Sequence, residues 1–110
     1  MKIAVPAETE AGEPRVAATP ETLKKLRALG ADIVVQAGAG TASGLRDSDF
    51  EAAGATIAHG PADTLRDADV VLKVRRPANH ELSDYKRGAA VIAIMDPYGH
   101  DDALRAMADA

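Results

Sequence analysis

Cysteine and tryptophan are absent from this chain of 110 residues, and phenylalanine occurs once. Without cysteine there is no disulfide scaffold and no thiolate metal site. Positive charge is in the minority: 13 basic side chains face 17 acidic ones, for a formal net charge of −4. That balance argues against a nucleic-acid binder, which carries a basic face. No apolar stretch approaches the roughly 18 residues of a membrane span. The opening Met1-Lys2-Ile3-Ala4-Val5-Pro6 is too short in its apolar part for a signal peptide. The expectation is a soluble, cytoplasmic protein. Bulky apolar side chains are scarce as well. Of 51 residues in the hydrophobic class 24 are alanine, and Leu, Ile, Val and Phe together number 22. One domain of this length must therefore build its core from few large side chains, and is expected to lean on a packing partner. The stretch from His100 to Ala110 reads as a helix with acids in its first turn. Neither a glycine cap nor a closing strand follows it, which points to an incomplete domain.

What is present is an alternation of apolar runs and helical patterns, repeated five times, the mark of βαβ units and a parallel sheet. The strands are expected at Ile3-Ala4-Val5, Ile33-Val34-Val35, Thr56-Ile57-Ala58, Val70 to Val74 and Ala89 to Met95. A helix opens at Thr19-Pro20-Glu21, a capping residue followed by proline at the first helical position. Leu23, Leu26 and Leu29 recur at helical spacing until Gly30 ends the run. Asp47 is expected to cap a short helix over Ser48–Ala53 that Gly54 ends. Further short helices are expected at Pro61–Asp67 and Glu81–Lys86. The unbroken β-branched run at Val70 to Val74 predicts a central strand buried on both faces. Right-handed crossovers then give a three-layer α/β/α, doubly wound parallel sheet, with flavodoxin-like strand order 2-1-3-4-5.

In open α/β sheets ligands bind beyond the carboxyl ends of the strands, near the switch in strand order. That edge collects Glu8, Glu10, Glu13 and Arg15 after the first strand, and Lys73, Arg75 and Arg76 at the end of the fourth. Asp96, Pro97 and Tyr98 follow the fifth. An ammonium inside Val-Val-Leu-Lys-Val costs several kcal/mol to desolvate unless something pairs with it. Lys73 is either a cation gripping an anionic or carbonyl group, or a lysine whose head reaches solvent at the strand end. Arg15 alone reads as a solvated side chain, and gains weight beside Lys73.

The glycine loop from Ala37 to Gly44 does not meet the dinucleotide fingerprint. Gly38 and Gly40 fit its first two positions, but Ser43 stands at the sixth and no helix opens until Asp47. His59, His80 and His100 lack metal-ligand spacing, and no nucleophile elbow, P-loop or zinc signature appears. A receiver domain would need acids at the first and third strand ends and a lysine after the fifth. This chain has Pro6, His59 and Asp96 there.

Several segments are familiar as an ordered set: Lys2-Ile3-Ala4-Val5-Pro6-Ala7-Glu8-Thr9, Gly12-Glu13-Pro14-Arg15-Val16-Ala17-Ala18-Thr19-Pro20, Gln36-Ala37-Gly38-Ala39-Gly40, Ala52-Ala53-Gly54-Ala55 and Asp69-Val70-Val71-Leu72-Lys73-Val74. Together they resemble the N-terminal domain of the alanine dehydrogenase and pyridine nucleotide transhydrogenase family, across essentially the whole chain. The resemblance implies that residues 1–110 are that domain, incomplete, with an NAD-binding Rossmann domain beyond residue 110. It implies NAD(H) in the full-length parent, NADP(H) on a partner subunit, and no cofactor held by this fragment alone. In the alanine dehydrogenase branch it implies a pyruvate site at Arg15 and Lys73, with a histidine acid/base at the position of Asp96. An aspartate there would repel a carboxylate substrate and would need a strongly raised pKa to act near neutral pH. The transhydrogenase branch needs no such acid/base, because hydride passes directly between two nicotinamide rings. The expected parent is therefore the alpha subunit of a proton-translocating NAD(P) transhydrogenase. Arg15, Lys73 and Asp96 would line its cleft, with catalytic residues unassigned and no metal. Expected partners are the C-terminal NAD-binding domain of the same chain, membrane and NADP(H)-binding subunits, and a second copy in a homodimer. The location would be cytoplasmic, peripheral to the inner membrane. The alternatives are an alanine dehydrogenase-type domain and a non-catalytic flavodoxin-like binding module.

Overall fold

The computed structural model describes residues 1–110. Five strands alternate with four helices: β1 (Lys2–Val5), α1 (Pro20–Ala28), β2 (Asp32–Gln36), α2 (Asp47–Ala52), β3 (Thr56–Ala58), α3 (Pro61–Leu65), β4 (Val70–Arg75), β5 (Ala90–Ile94) and α4 (Asp101–Asp109). Short 3₁₀ segments at Thr41–Ser43 and Asn79–Asp84 complete the connections. The second of these stands where the sequence pattern predicts a brief α-helix at Glu81–Lys86. None of the helices is long and apolar enough to cross a membrane.

Local chemistry accounts for most boundaries. The Thr19 hydroxyl accepts a hydrogen bond from the Thr22 amide at 3.2 Å, and Pro20 follows at the first helical position. Gly30, at φ +96°, takes the left-handed conformation that ends α1. At α2 the expected cap moves by one residue. Arg46 is the extended N-cap residue, and the Asp49 carboxylate accepts from its amide at 2.8 Å. Asp47 is instead the first residue of α2, and its carboxylate accepts from the Gly38 amide at 2.9 Å.

All pairings in the sheet are parallel, and the fold is a doubly wound α/β layer structure, as the alternation of elements implies. The strand order is β3-β2-β1-β4-β5, which differs from the expected 2-1-3-4-5 in the place of β3. This strand of three residues pairs with β2, through Val34–Thr56 and Val35–Ile57, and forms the outer edge. Its Thr56 is exposed, as suits an edge strand with one neighbour. The longer β4 takes the place beside β1, with Ile3 against Val70 and Ala4 against Val71. The switch in direction of winding thus falls between β1 and β4.

Alternation along the strands sends side chains to two unequal cores. On one face Ile3, Val5, Ile33 and Val35 pack under Leu23 of α1 and Phe50 of α2, within a cluster of 11 buried residues. On the other, Ala4, Leu65, Ala68 and Val71 form a cluster of four, against which Tyr85 and Val91 pack. The expected burial of β4 on both faces is not observed. Val71 and Lys73 are buried, but Val70, Leu72 and Val74 are only half-buried. Helices α1 and α2 lie over β1 to β3, and nothing in the chain covers the same face at β4 and β5.

Candidate functional site

The crevice outside the carboxyl ends of β1 and β4 is where this topology places a ligand. A register shift between Leu72 and Arg75 interrupts the ladder from β4 to β5. A bulge of this kind leaves backbone amides in need of acceptors. Glu8, from the loop after β1, supplies them: its carboxylate accepts from the Val74 amide at 3.0 Å and the Arg75 amide at 2.9 Å. The loop is thereby tied to the strand beside it.

Two ion pairs hang on this frame. Lys73 is buried, with its side chain 1% exposed, and its ammonium lies 3.1 Å from Glu81 Oε2. The second carboxylate oxygen of Glu81 accepts from the Thr9 hydroxyl at 2.7 Å. This chain of contacts joins the loop after β1, strand β4 and the 3₁₀ segment at Asn79–Asp84. The other pair lies at the rim. Arg15 donates from Nε and Nη2 to the two oxygens of Glu13, at 2.9 and 2.7 Å. Arg75 donates from Nε to the same carboxylate at 2.8 Å. The Glu13 carboxyl is held down to about 2, first by the Arg15 guanidinium, with burial acting in the opposite sense and the Arg15 amide and Arg75 adding to the lowering. The Arg15 guanidinium is pushed up in turn, chiefly by its hydrogen bond to Glu13.

Arg15 lines a cleft of about 780 Å³, which Lys73 borders through its backbone while its side chain stays buried on Glu81. The floor of the cleft is apolar, with Leu72, Val74, Ile92 and Ile94 from the uncovered face of β4 and β5. Each of the two cations has its own carboxylate, so the pair does not share one internal counter-ion. Asp96 is not in this cleft. It follows β5 in a left-handed conformation at φ +44°, with its side chain 71% exposed. Its carboxylate lies 3.9 Å from His100 Nε2, and Arg76 donates to the Met95 and Asp96 carbonyls at 2.7 and 3.0 Å. Asp96 lines a neighbouring depression with Glu10, Arg75 and Arg76.

Sequence reasoning missed Glu81 and Thr9. The signal available was the need of Lys73 for a counter-charge, but nothing local selects one acid among 17. The glycine loop has a packing role. A Cβ on Gly40 would meet the Phe50 ring at 2.7 Å and Leu45 at 2.8 Å, so glycine is required for this close approach. With the Asp47 carboxylate already on the Gly38 amide, a pyrophosphate at this loop would face a negative charge. The residues of the loop do not fit a dinucleotide cradle.

These elements define a parallel α/β domain with a charged carboxyl edge, and comparison with known proteins gives its family. Residues 4–110 match the family described as "Alanine dehydrogenase/PNT, N-terminal domain", and the chain belongs to it. It is 51% identical over 97 residues to the first polypeptide of the NAD(P) transhydrogenase alpha subunit of Rhodospirillum rubrum, covering 84% of this chain and 25% of that protein. It is 39% identical over 111 residues to "Alanine dehydrogenase" of Mycobacterium tuberculosis, covering 100% of this chain and 29% of that protein. Among solved structures, a transhydrogenase from Sinorhizobium meliloti superposes with a TM-score of 0.94 at 49% identity, covering 98% of this chain and 32% of that one. An L-alanine dehydrogenase at 23% identity, covering 97% of this chain and 29% of that one, shares the fold with a TM-score of 0.92. The chain thus spans about a quarter to a third of the length of these relatives.

Proposed function

We propose that this chain is the N-terminal portion of the NAD(H)-binding alpha subunit of a proton-translocating NAD(P) transhydrogenase, which carries hydride from NADH to NADP⁺. The observation that supports this reading is the likeness to two transhydrogenases, 51% identity to the Rhodospirillum rubrum subunit and 49% to the Sinorhizobium meliloti structure. Two other transhydrogenase alpha subunits, at 38% and 37%, stand level with two alanine dehydrogenases at 37% and 39%. The chemistry of the site is in keeping with it. Asp96 offers an exposed carboxylate where an amino-acid dehydrogenase needs an acid/base, and it stands apart from the cleft of Arg15 and Lys73. The charge of Lys73 is neutralised internally by Glu81, so its role is architectural.

On this reading NAD(H) is held by a further domain of the same parent chain, and NADP(H) and the proton path belong to partner subunits at the inner membrane. The domain itself forms one wall of the interdomain cleft, and the parent is a homodimer. The fragment alone binds NADH negligibly. A second reading, an alanine dehydrogenase-type domain, draws on the 37% and 39% identity to two alanine dehydrogenases. Both activities are assayed on one preparation of the full-length parent. Hydride exchange between nicotinamide nucleotides with the NADP(H)-binding partner, without amination of pyruvate by NADH and ammonia, is the expected result. Robust alanine formation without that exchange overturns it.

A further inference from the structure

We propose that the pocket beneath α4 is a binding site for a small aromatic carboxylate, with the ring held against Tyr85 and Met107 and the carboxylate on Arg87. The pocket has a volume of about 470 Å³ and lies between α4, the 3₁₀ segment at Asn79–Asp84 and the start of β5. It shares no residue with the cleft of Arg15. The pleat sets the two on opposite faces of the sheet: Val91 lines the pocket, whereas Ile92 and Ile94 line the cleft. Ala103, Leu104, Ala106 and Met107 form the half-buried apolar stripe of α4 that faces the domain. No residue of this helix is fully buried, so α4 roofs a gap instead of closing it.

The lining selects the ligand. Leu82, Tyr85, Val91 and Met107 form an apolar wall, and Tyr85 and Val91 also pack against the smaller core. A tyrosine ring and a thioether in one wall favour an aromatic body over a plain alkyl chain. The two charged residues of the lining are Lys86 and Arg87, and no acidic side chain lines the pocket in a chain that has 17. Lys86 is already paired, with its ammonium 2.7 Å from Asp69. Arg87 has no carboxylate side chain as partner. Its Nη1 donates to the Asp109 and Ala110 carbonyls at 2.9 and 3.2 Å, while Nε and Nη2 make no hydrogen bond. The guanidinium is thus tied to the end of α4 and keeps free donors in the planar geometry that suits a carboxylate. An anion arriving there meets a cation with no internal counter-charge, and little rotamer freedom is lost on binding.

The test is methyl nuclear magnetic resonance of the 110-residue chain labelled at its three methionines, Met1, Met95 and Met107. It is titrated with hydrocinnamate and with the neutral hydrocinnamyl alcohol at constant ionic strength. A saturable shift of the Met107 methyl is expected, with Met1 and Met95 unmoved. Hydrocinnamate should bind about tenfold tighter than its alcohol, because it adds a hydrogen bond between charged groups. Absence of a saturable shift, or shifts of all three methyls together, overturns the site. Equal affinity for acid and alcohol overturns the assignment of a carboxylate ligand. Arg87→Gln should remove the preference for the acid while the alcohol still binds. A preference that survives in the folded R87Q variant overturns the role of Arg87. Ala89→Leu, on the same face as Val91, fills the pocket and should abolish the Met107 shift with thermal stability kept. Unchanged binding in that variant places the ligand elsewhere and overturns the proposal. None of these readouts involves hydride transfer, so they stand or fall apart from the transhydrogenase reading.

Discussion

The half of the sheet formed by β1, β2 and β3 and the half formed by β4 and β5 are held by different physics. The first buries Phe50, Leu23, Ile33 and Val35 beneath two helices, all with 2% exposure or less. The second keeps Ile92 and Ile94 at 60% and 53% exposure and relies on carboxylates reaching across from the loop after β1. A protein with so few large apolar side chains concentrates them on one side. It organises the other with charge, and the candidate site lies where the two meet. The contrast shows that the chemistry-bearing residues stand at the seam, Glu8, Glu13 and Arg15 from the loop after β1 and Lys73 and Arg75 from β4.

The strongest challenge to this contrast is Phe50→Ala. It should cost about 4 kcal/mol, measured by urea unfolding, because it opens a cavity in the larger core. That is a large share of the roughly 5–15 kcal/mol available to a typical domain. A loss near that of a surface substitution would erase the distinction between the halves.

Next in size is the buried pair. Glu81→Ala should cost about 3 kcal/mol by leaving the Lys73 ammonium without a counter-charge. The double variant Lys73→Met with Glu81→Leu should recover most of that loss, since well-packed apolar replacements of a buried pair are often neutral. If the double variant is no more stable than Glu81→Ala, the intact pair contributes net stability over its apolar replacement and the β4 side is stronger than described.

A smaller effect is expected in acid. Glu13 is held down to about 2 in the folded protein, below the ordinary carboxyl value of 4.5. Its contribution is therefore present above about pH 4.5 and is lost as pH falls towards 2. Comparing wild type with Glu13→Gln over that range should show stability curves that converge at low pH. Parallel curves would mean that the Arg15–Glu13–Arg75 cluster does not stabilise the fold.

The smallest effects belong to the open face and to Tyr85. Ile92→Ser should change stability by no more than about 0.5 kcal/mol, as for an exposed position. Tyr85→Phe should be neutral or slightly stabilising in thermal unfolding, because the buried hydroxyl has no hydrogen-bond partner. The Tyr85 hydroxyl pKa is raised, first by burial and then by the carboxylates of Glu81, Glu8 and Asp84. A large loss in either variant would show that the β4–β5 half is packed more tightly than its exposure indicates.

The features legible in the order of residues are local ones. The period of apolar residues, the cap at Thr19, the stops at Gly30 and Gly54, and five separate strands specify an α/β doubly wound class, because each depends on neighbours within one turn or one strand. Arg15 and Lys73 could be singled out by the same reasoning, one from its loop and the other from its cost inside an apolar strand. The rest follows from long-range packing. A strand of three residues carries too little pattern to say whether it sits at the edge or the centre, so the place of β3 was settled by which neighbours could pair with β1. The partners of the charges were equally hidden. Thr9 meets Glu81 across 72 positions of the chain and Glu8 meets Arg75 across 67. Charged side chains carry no periodic signal that names a partner at that distance. The open face of β4 and β5 was hidden for the same reason: alternation specifies which side chains share a face, but only the packed layers decide whether anything covers it.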